Sequence, residues 1–137
     1  MMSLSSETKL RVRYAETDQM GVVYHSNYLI WFEVGRTELF RNLGLPYTIF
    51  EEQGLSLAVV EASCRYRRPA KYDDELVVYT HMENLSSRII IFSYKVLKGT
   101  ILLTEGKTSH VFLDQEGRVA NVRKYPVWEQ VLAKIPS

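Results

Sequence analysis

Between Tyr14 and Tyr28 the chain reads YAETDQMGVVYHSNY, the densest run of groups in the sequence that can do chemistry. Asp18 places a carboxylate in a segment whose hydrophobic periodicity dissolves around Gly21, just before a helix is expected to begin. A helix N-terminus carries unpaired backbone N–H groups and about half a positive charge. A carboxylate beside it can attack a carbonyl carbon or take a proton from water while those amides hold the resulting oxyanion. The same residue also suits a turn or a cap, because aspartate accepts hydrogen bonds from nearby amides. The residues alone leave both readings of Asp18 open.

Other chemistries have weaker support. There is no Walker A loop, GxGxxG, HExxH or CxxC, and His25, His81 and His110 are too far apart in sequence for a local metal cluster, so neither a metal nor a cofactor is expected. Gly54-Leu55-Ser56-Leu57-Ala58 ends in alanine where a nucleophile elbow needs glycine, which leaves Ser56 an ordinary strand-entry residue. Cys64 is expected on the apolar face of a strand, away from Arg65, as an inert thiol. As the single cysteine it fits a reducing compartment, with the cytoplasm the expectation. Arg65, Arg67, Arg68 and Lys71 can hold phosphates or simply solvate a strand end. With 17 basic against 16 acidic residues the net charge is +1, which provides no broad field for nucleic acid. Tyr28 to Phe32 is the longest wholly apolar run, too short for a membrane span, and the first residues lack the apolar stretch of a signal peptide.

These groups need elements to position them. Leu10, Val12 and Tyr14 alternate with Lys9, Arg11 and Arg13, the period of a half-buried strand over Thr8 to Tyr14. Ser26 or Asn27 can cap a helix running to Leu43, with Tyr28, Phe32, Gly35, Leu39 and Leu43 on one face. Glu33 with Arg36, and Glu38 with Arg41, pair on its solvated side, and Gly44 followed by Pro46 stops it. Leu57 to Tyr66, Glu75 to Glu83, Arg88 to Leu97 and Ile101 to Leu113 read as strands, separated by turn residues. Ala58, Val60, Ala62, Cys64 and Tyr66 are expected on one face of the first of these. Val127 to Ala133 reads as a short final helix. One strand, one long helix and a run of antiparallel strands make an α+β domain covering residues 1–137.

In that setting Tyr14, Thr17-Asp18, Gly21 to His25, Asn27-Tyr28 and Arg36-Thr37-Glu38 resemble the 4-hydroxybenzoyl-CoA thioesterase family. Within that family they are most similar to the branch of acyl-CoA thioesterases encoded beside the Tol-Pal system. Tyr66 with Pro69-Ala70, Asp73-Asp74 and Ser87-Arg88 extend the likeness along the chain. The resemblance implies a hot-dog fold, an antiparallel five- to six-stranded sheet wrapped around the long helix, with sheets joined edge to edge in a homodimer or homotetramer. It implies hydrolysis of an acyl- or aryl-CoA thioester to free acid and CoA, with Asp18 as nucleophile or general base. Amides between Tyr24 and Asn27, His25 foremost, would form the oxyanion hole, while the His25 ring either orients the thioester or packs beside Tyr24. Tyr24, Asn27 and Tyr28 would line the substrate, and Arg88 would lead the phosphate contacts, ahead of Arg68 and Arg118. Two alternatives stand beside this: a 1,4-dihydroxy-2-naphthoyl-CoA thioesterase, and a non-catalytic acyl-CoA-binding or sensing domain.

Overall fold

The computed structural model describes residues 4–135. Strand β1 (Leu4–Arg11) is followed by helix α1 (Asn27–Asn42) and a short helix α2 (Tyr47–Glu52). Strands β2 (Ser56–Tyr66), β3 (Glu75–Leu85), β4 (Ile89–Lys98) and β5 (Ile101–Leu113) come next, and helix α3 (Pro126–Leu132) ends the described chain. The strands form one five-stranded sheet in the order β1-β3-β4-β5-β2, antiparallel throughout. This is the expected α+β architecture, a helix held against one face of an antiparallel sheet.

The central strand β4 and its neighbour β3 set that face. Leu76, Val78, Thr80 and Met82 of β3 and Ile90, Phe92, Tyr94 and Val96 of β4 are all buried, every second residue, as the pleat requires. Against them α1 buries Tyr28, Trp31, Phe32, Gly35, Leu39 and Phe40. Phe32 stacks on Tyr94 with ring centroids 4.3 Å apart, and Phe40 meets Phe92 edge-on at 5.8 Å. Gly35 lies where the helix comes closest to β3, since a Cβ there would collide with Thr80 Oγ1 and stand 3.0 Å from Val78 Cγ1. The helix stops as expected: Leu45 N–H reaches Phe40 O at 2.9 Å and Gly44 N–H reaches Arg41 O at 3.0 Å, the Schellman pattern.

The structure corrects four local expectations. Strand β1 begins at Leu4, because pairing with β3 from Leu4 opposite Met82 carries a polar segment into the sheet. Tyr14 leaves that strand for a 3-10 turn and is 76% exposed. In β2 the register slips between Val59 and Glu61. Before that bulge Leu57 and Val59 pair with the core-facing Phe112 and His110, and after it Ala62, Cys64 and Tyr66 face inward, so Ala58 and Val60 are not on the inner face. Finally, Glu38 and Arg41 pair on the surface and Glu33 pairs with Arg36 at 3.9 Å, but only the Glu33 half of that second pair is solvated, since the Arg36 side chain is 16% exposed. Helix α2 carried no periodic signal, being six residues long.

Candidate active site

The segment from Tyr14 to Tyr28 is held by its own hydrogen bonds. Thr17 and Val23 form an isolated bridge, Val22 bridges Lys71, and Val23 N–H reaches Ala70 O at 2.9 Å. Asp18 N–H donates to Val22 O at 2.9 Å, and the loop turns at Gly21, whose φ of +80° suits a residue without a Cβ. Asp18 Oδ1 accepts from Met20 N–H at 2.8 Å and from Val22 N–H at 3.4 Å. The turn reading of Asp18 therefore describes one oxygen, and Oδ2 has no hydrogen-bond partner among the described residues.

A residue the sequence did not bring forward organises this loop. Glu16 is 5% exposed, and its carboxylate accepts from Arg13 N–H at 2.8 Å, from the Trp31 indole N–H at 2.8 Å and from the Arg13 guanidinium at 3.3 Å. Burial pushes its pKa up, but these three donors and the Arg13 charge outweigh burial and hold it below the ordinary value. Its backbone carbonyl accepts from Tyr24 N–H at 2.9 Å and from the Asn27 side chain at 2.9 Å. Glu16 thus ties the Asp18 loop to α1 at both ends. The available signal was a capping-box spacing, Arg13 to Glu16, and nothing in it announced the contact with Trp31 fifteen residues on.

The same bonds sort the amides at the helix start. Asn27 N–H is used by Tyr24 O and Tyr28 N–H by His25 O, whereas the N–H groups of His25 and Ser26 have no acceptor among the described residues. Ser26 holds the N-cap position without a side-chain cap, and the Asn27 side chain turns to Glu16 instead, so neither caps the helix as expected.

Asp18, Tyr24, Ser26 and Asn27 line one open depression, together with Tyr14 and Thr17. His25, Tyr28 and Arg68 line a second, beside Tyr66 and Pro69. The His25 ring packs on Tyr24 at 4.4 Å, and its carbonyl accepts from the Tyr66 hydroxyl at 3.2 Å. Tyr28 is buried, which raises its phenol pKa, and its oxygen accepts from Ala70 N–H at 3.3 Å. Arg88 and Arg118 belong to neither depression. Arg88 lies in the β3–β4 turn, where its carbonyl accepts from Phe112 N–H, and Arg118 N–H donates to Asp114 beyond β5. That is the far end of the sheet, about 30 Å from the Asp18 loop by strand rise, so within one chain neither arginine reaches a ligand seated at Asp18. No group of acidic, histidine or cysteine side chains suited to a metal ion occurs among the described residues.

Residues 12–135 match the thioesterase-like superfamily. YneP of Bacillus subtilis is 37% identical over 132 residues, covering 94% of this chain and 96% of the relative. The acyl-CoA thioesterase YbgC of Haemophilus influenzae is 36% identical over 106 residues, covering 77% of this chain and 78% of the relative. Among solved structures, the DHNA-CoA thioesterase of Staphylococcus aureus superposes with a TM-score of 0.88 at 32% identity, covering 95% of this chain and 89% of the other.

Proposed function

We infer the activity from one premise: the chain belongs to the thioesterase-like superfamily. The reading it supports is hydrolysis of an acyl- or aryl-CoA thioester to free acid and CoA, in the depression that Asp18 and Ser26 share. One observation carries it: a carboxylate with Oδ1 anchored and Oδ2 without a partner among the described residues stands in the same loop as two amides, those of His25 and Ser26, that also lack one there.

Two routes use this arrangement. In one, Oδ2 takes a proton from water as the water oxygen bonds to the thioester carbon. In the other, Oδ2 bonds to that carbon itself, and water later cleaves the anhydride. In both, the carbonyl electron pair moves onto oxygen, where the two amides stabilise it. Its return expels CoA as the thiolate, which takes up a proton. His25, its ring tilted against Tyr24, serves through its backbone in this scheme, and Tyr24 and Asn27 form the wall. The finer placement, in the branch encoded beside Tol-Pal, rests on the Tyr14 to Tyr28 motif.

Support for assembly comes from β2. It is an edge strand with Val59 52% and Val60 58% exposed, a surface that a second copy would cover. An antiparallel pair of β2 strands makes a homodimer, two of which would make a homotetramer, and sets the Leu57 end of one beside the Tyr66 end of the other. The second copy's Arg88 turn, which meets β5 at Phe112 opposite Leu57, then approaches the Asp18 end of the first. CoA phosphates would be met there, with Arg68 nearby. A half-buried free Cys64 fits the cytoplasm.

A second reading, favoured by the likeness to the Staphylococcus aureus enzyme, makes the acyl group 1,4-dihydroxy-2-naphthoyl. Thiol release from a panel of acyl- and aryl-CoA thioesters tests both. Turnover that disappears in Asp18→Asn with folding retained supports the mechanism. Binding without thiol release by the native protein would instead identify a sensing domain. A single turnover in heavy-oxygen water separates the routes: water attacking the Asp18 carboxyl carbon of the anhydride leaves label in Asp18, whereas the general-base route puts it only in the free acid.

A further inference from the structure

At the other end of α1 a chain of polar groups runs into the core. Arg36 donates to the Tyr94 hydroxyl at 3.5 Å, Tyr94 and Thr108 hydroxyls lie 2.6 Å apart, and Thr108 Oγ1 lies 2.8 Å from His110 Nε2. Arginine can only donate, so the Tyr94 oxygen accepts from it; the other two bonds can each run either way, and the direction in which every hydroxyl proton finds an acceptor sends the Tyr94 proton to Thr108 and the Thr108 proton to Nε2. That leaves the imidazole proton on Nδ1. His110 is 1% exposed and its Nδ1 has no partner among the described residues, an arrangement that costs stability unless something is bound there. Arg36 is also under-satisfied, with five N–H donors, a long bond to Tyr94 and a carboxylate, Glu33, that is 66% exposed and 3.9 Å away.

Arg36 and His110 line one depression with Glu33, Thr37, Tyr47 and Leu57, closed below by Phe40. We propose that this depression is a subsite for the far end of the acyl group, and that it selects acyl chains ending in a carboxylate, held by the Arg36 guanidinium against the His110 imidazole. The proposal rests on the thioesterase reading above. Arginine presents a planar pair of donors that fits a carboxylate, and the low exposure of Arg36 strengthens such a contact relative to one in water. The subsite lies beside Leu57, at the opposite end of β2 from the Asp18 loop. An antiparallel pair of β2 strands brings one copy's subsite alongside the other copy's His25 and Tyr66, so an acyl group cleaved at Asp18 extends into the neighbour.

Hexanoyl-CoA and adipoyl-CoA differ only in the terminal methyl or carboxylate, and they test this directly. The native enzyme should favour adipoyl-CoA in kcat/KM by about tenfold or more, the scale of a hydrogen-bonded charge contact. Arg36→Gln should remove the preference while leaving hexanoyl-CoA turnover in place, and Arg36→Lys should keep part of it. Equal rates for the two thioesters in the native enzyme, a preference untouched by Arg36→Gln, or a larger preference for a hydroxylated aryl-CoA would overturn the assignment. Calorimetric binding of both thioesters to Asp18→Asn, with and without Arg36→Gln, reads the same preference without turnover. If no thioester is hydrolysed yet adipoyl-CoA still binds tightly through Arg36, the thioesterase reading fails and the subsite stands.

Discussion

Helix α1 has a polar site at each end, and they are built in opposite ways. At its start, the groups are contiguous in sequence, the depression is open, and the free donors are backbone amides of His25 and Ser26. Toward its other end, Arg36, Tyr94, Thr108 and His110 come from three elements and the free donor is a buried ring nitrogen. On the proposed reading, the first end breaks the bond in any thioester and the second chooses among them. An irregular loop can set many amides in one place, whereas discrimination between acyl ends needs desolvated side chains that only a packed interior supplies.

Substitutions at the two ends should therefore divide cleanly. Asp18→Asn keeps the Oδ1 bonds but loses the charge, so kcat should fall by about 10²-fold or more for every thioester alike, with the melting transition unchanged. Rates measured alongside thermal unfolding on one preparation check this, and near-normal turnover would remove Asp18 from the mechanism.

The second end should show in pH dependence. Burial first, then the Arg36 charge, lowers His110 from the ordinary 6.5 to about 4. Between those values the unfolded chain binds a proton that the folded chain refuses, so stability falls as pH falls. At pH 4 the loss should be roughly 3 kcal/mol relative to neutral pH. Unfolding at a series of pH values, in the native chain and in His110→Gln, should show that slope only in the native chain.

Glu16 gives an acid loss of the same sign at the first end, in a lower pH window. Its pKa is held below 4.5, so its contribution is complete above the unfolded value and disappears as pH falls through the lower folded one. Glu16→Gln should cost about 1–2 kcal/mol at neutral pH, the scale of a charge-assisted hydrogen bond, and should lose that acid limb. The turnover of Glu16→Gln should drop for all thioesters together, because the loop carrying Asp18 loosens. A change confined to one class of acyl group would contradict the division between the ends. The smallest stability change is expected at the β2 edge. Val59→Lys should leave unfolding of the single chain within about 0.5 kcal/mol, as at other surface positions, yet shift light scattering from dimer to monomer.

The elements and the course of the loop entering α1 were largely open to reading from the residues. Alternation in β3 to β5 and the Tyr28, Phe32, Gly35, Leu39 face of α1 are local patterns, and local patterns follow from chain geometry alone. The nearness of Asp18 to the start of α1 was legible for the same reason: a loop and the helix it enters are neighbours along the chain. What tertiary structure decided were the relations between distant residues. The β2 bulge moved Ala58 and Val60 off the inner face, because pairing with β5 sets the register. Glu16 became an anchor through Trp31, and Arg88 was carried to the end of the sheet remote from Asp18. Arg36, at ideal spacing for a surface pair with Glu33, turned inward because Tyr94 and the His110 chain wait beneath it, and no periodicity along α1 records what the sheet presents to it.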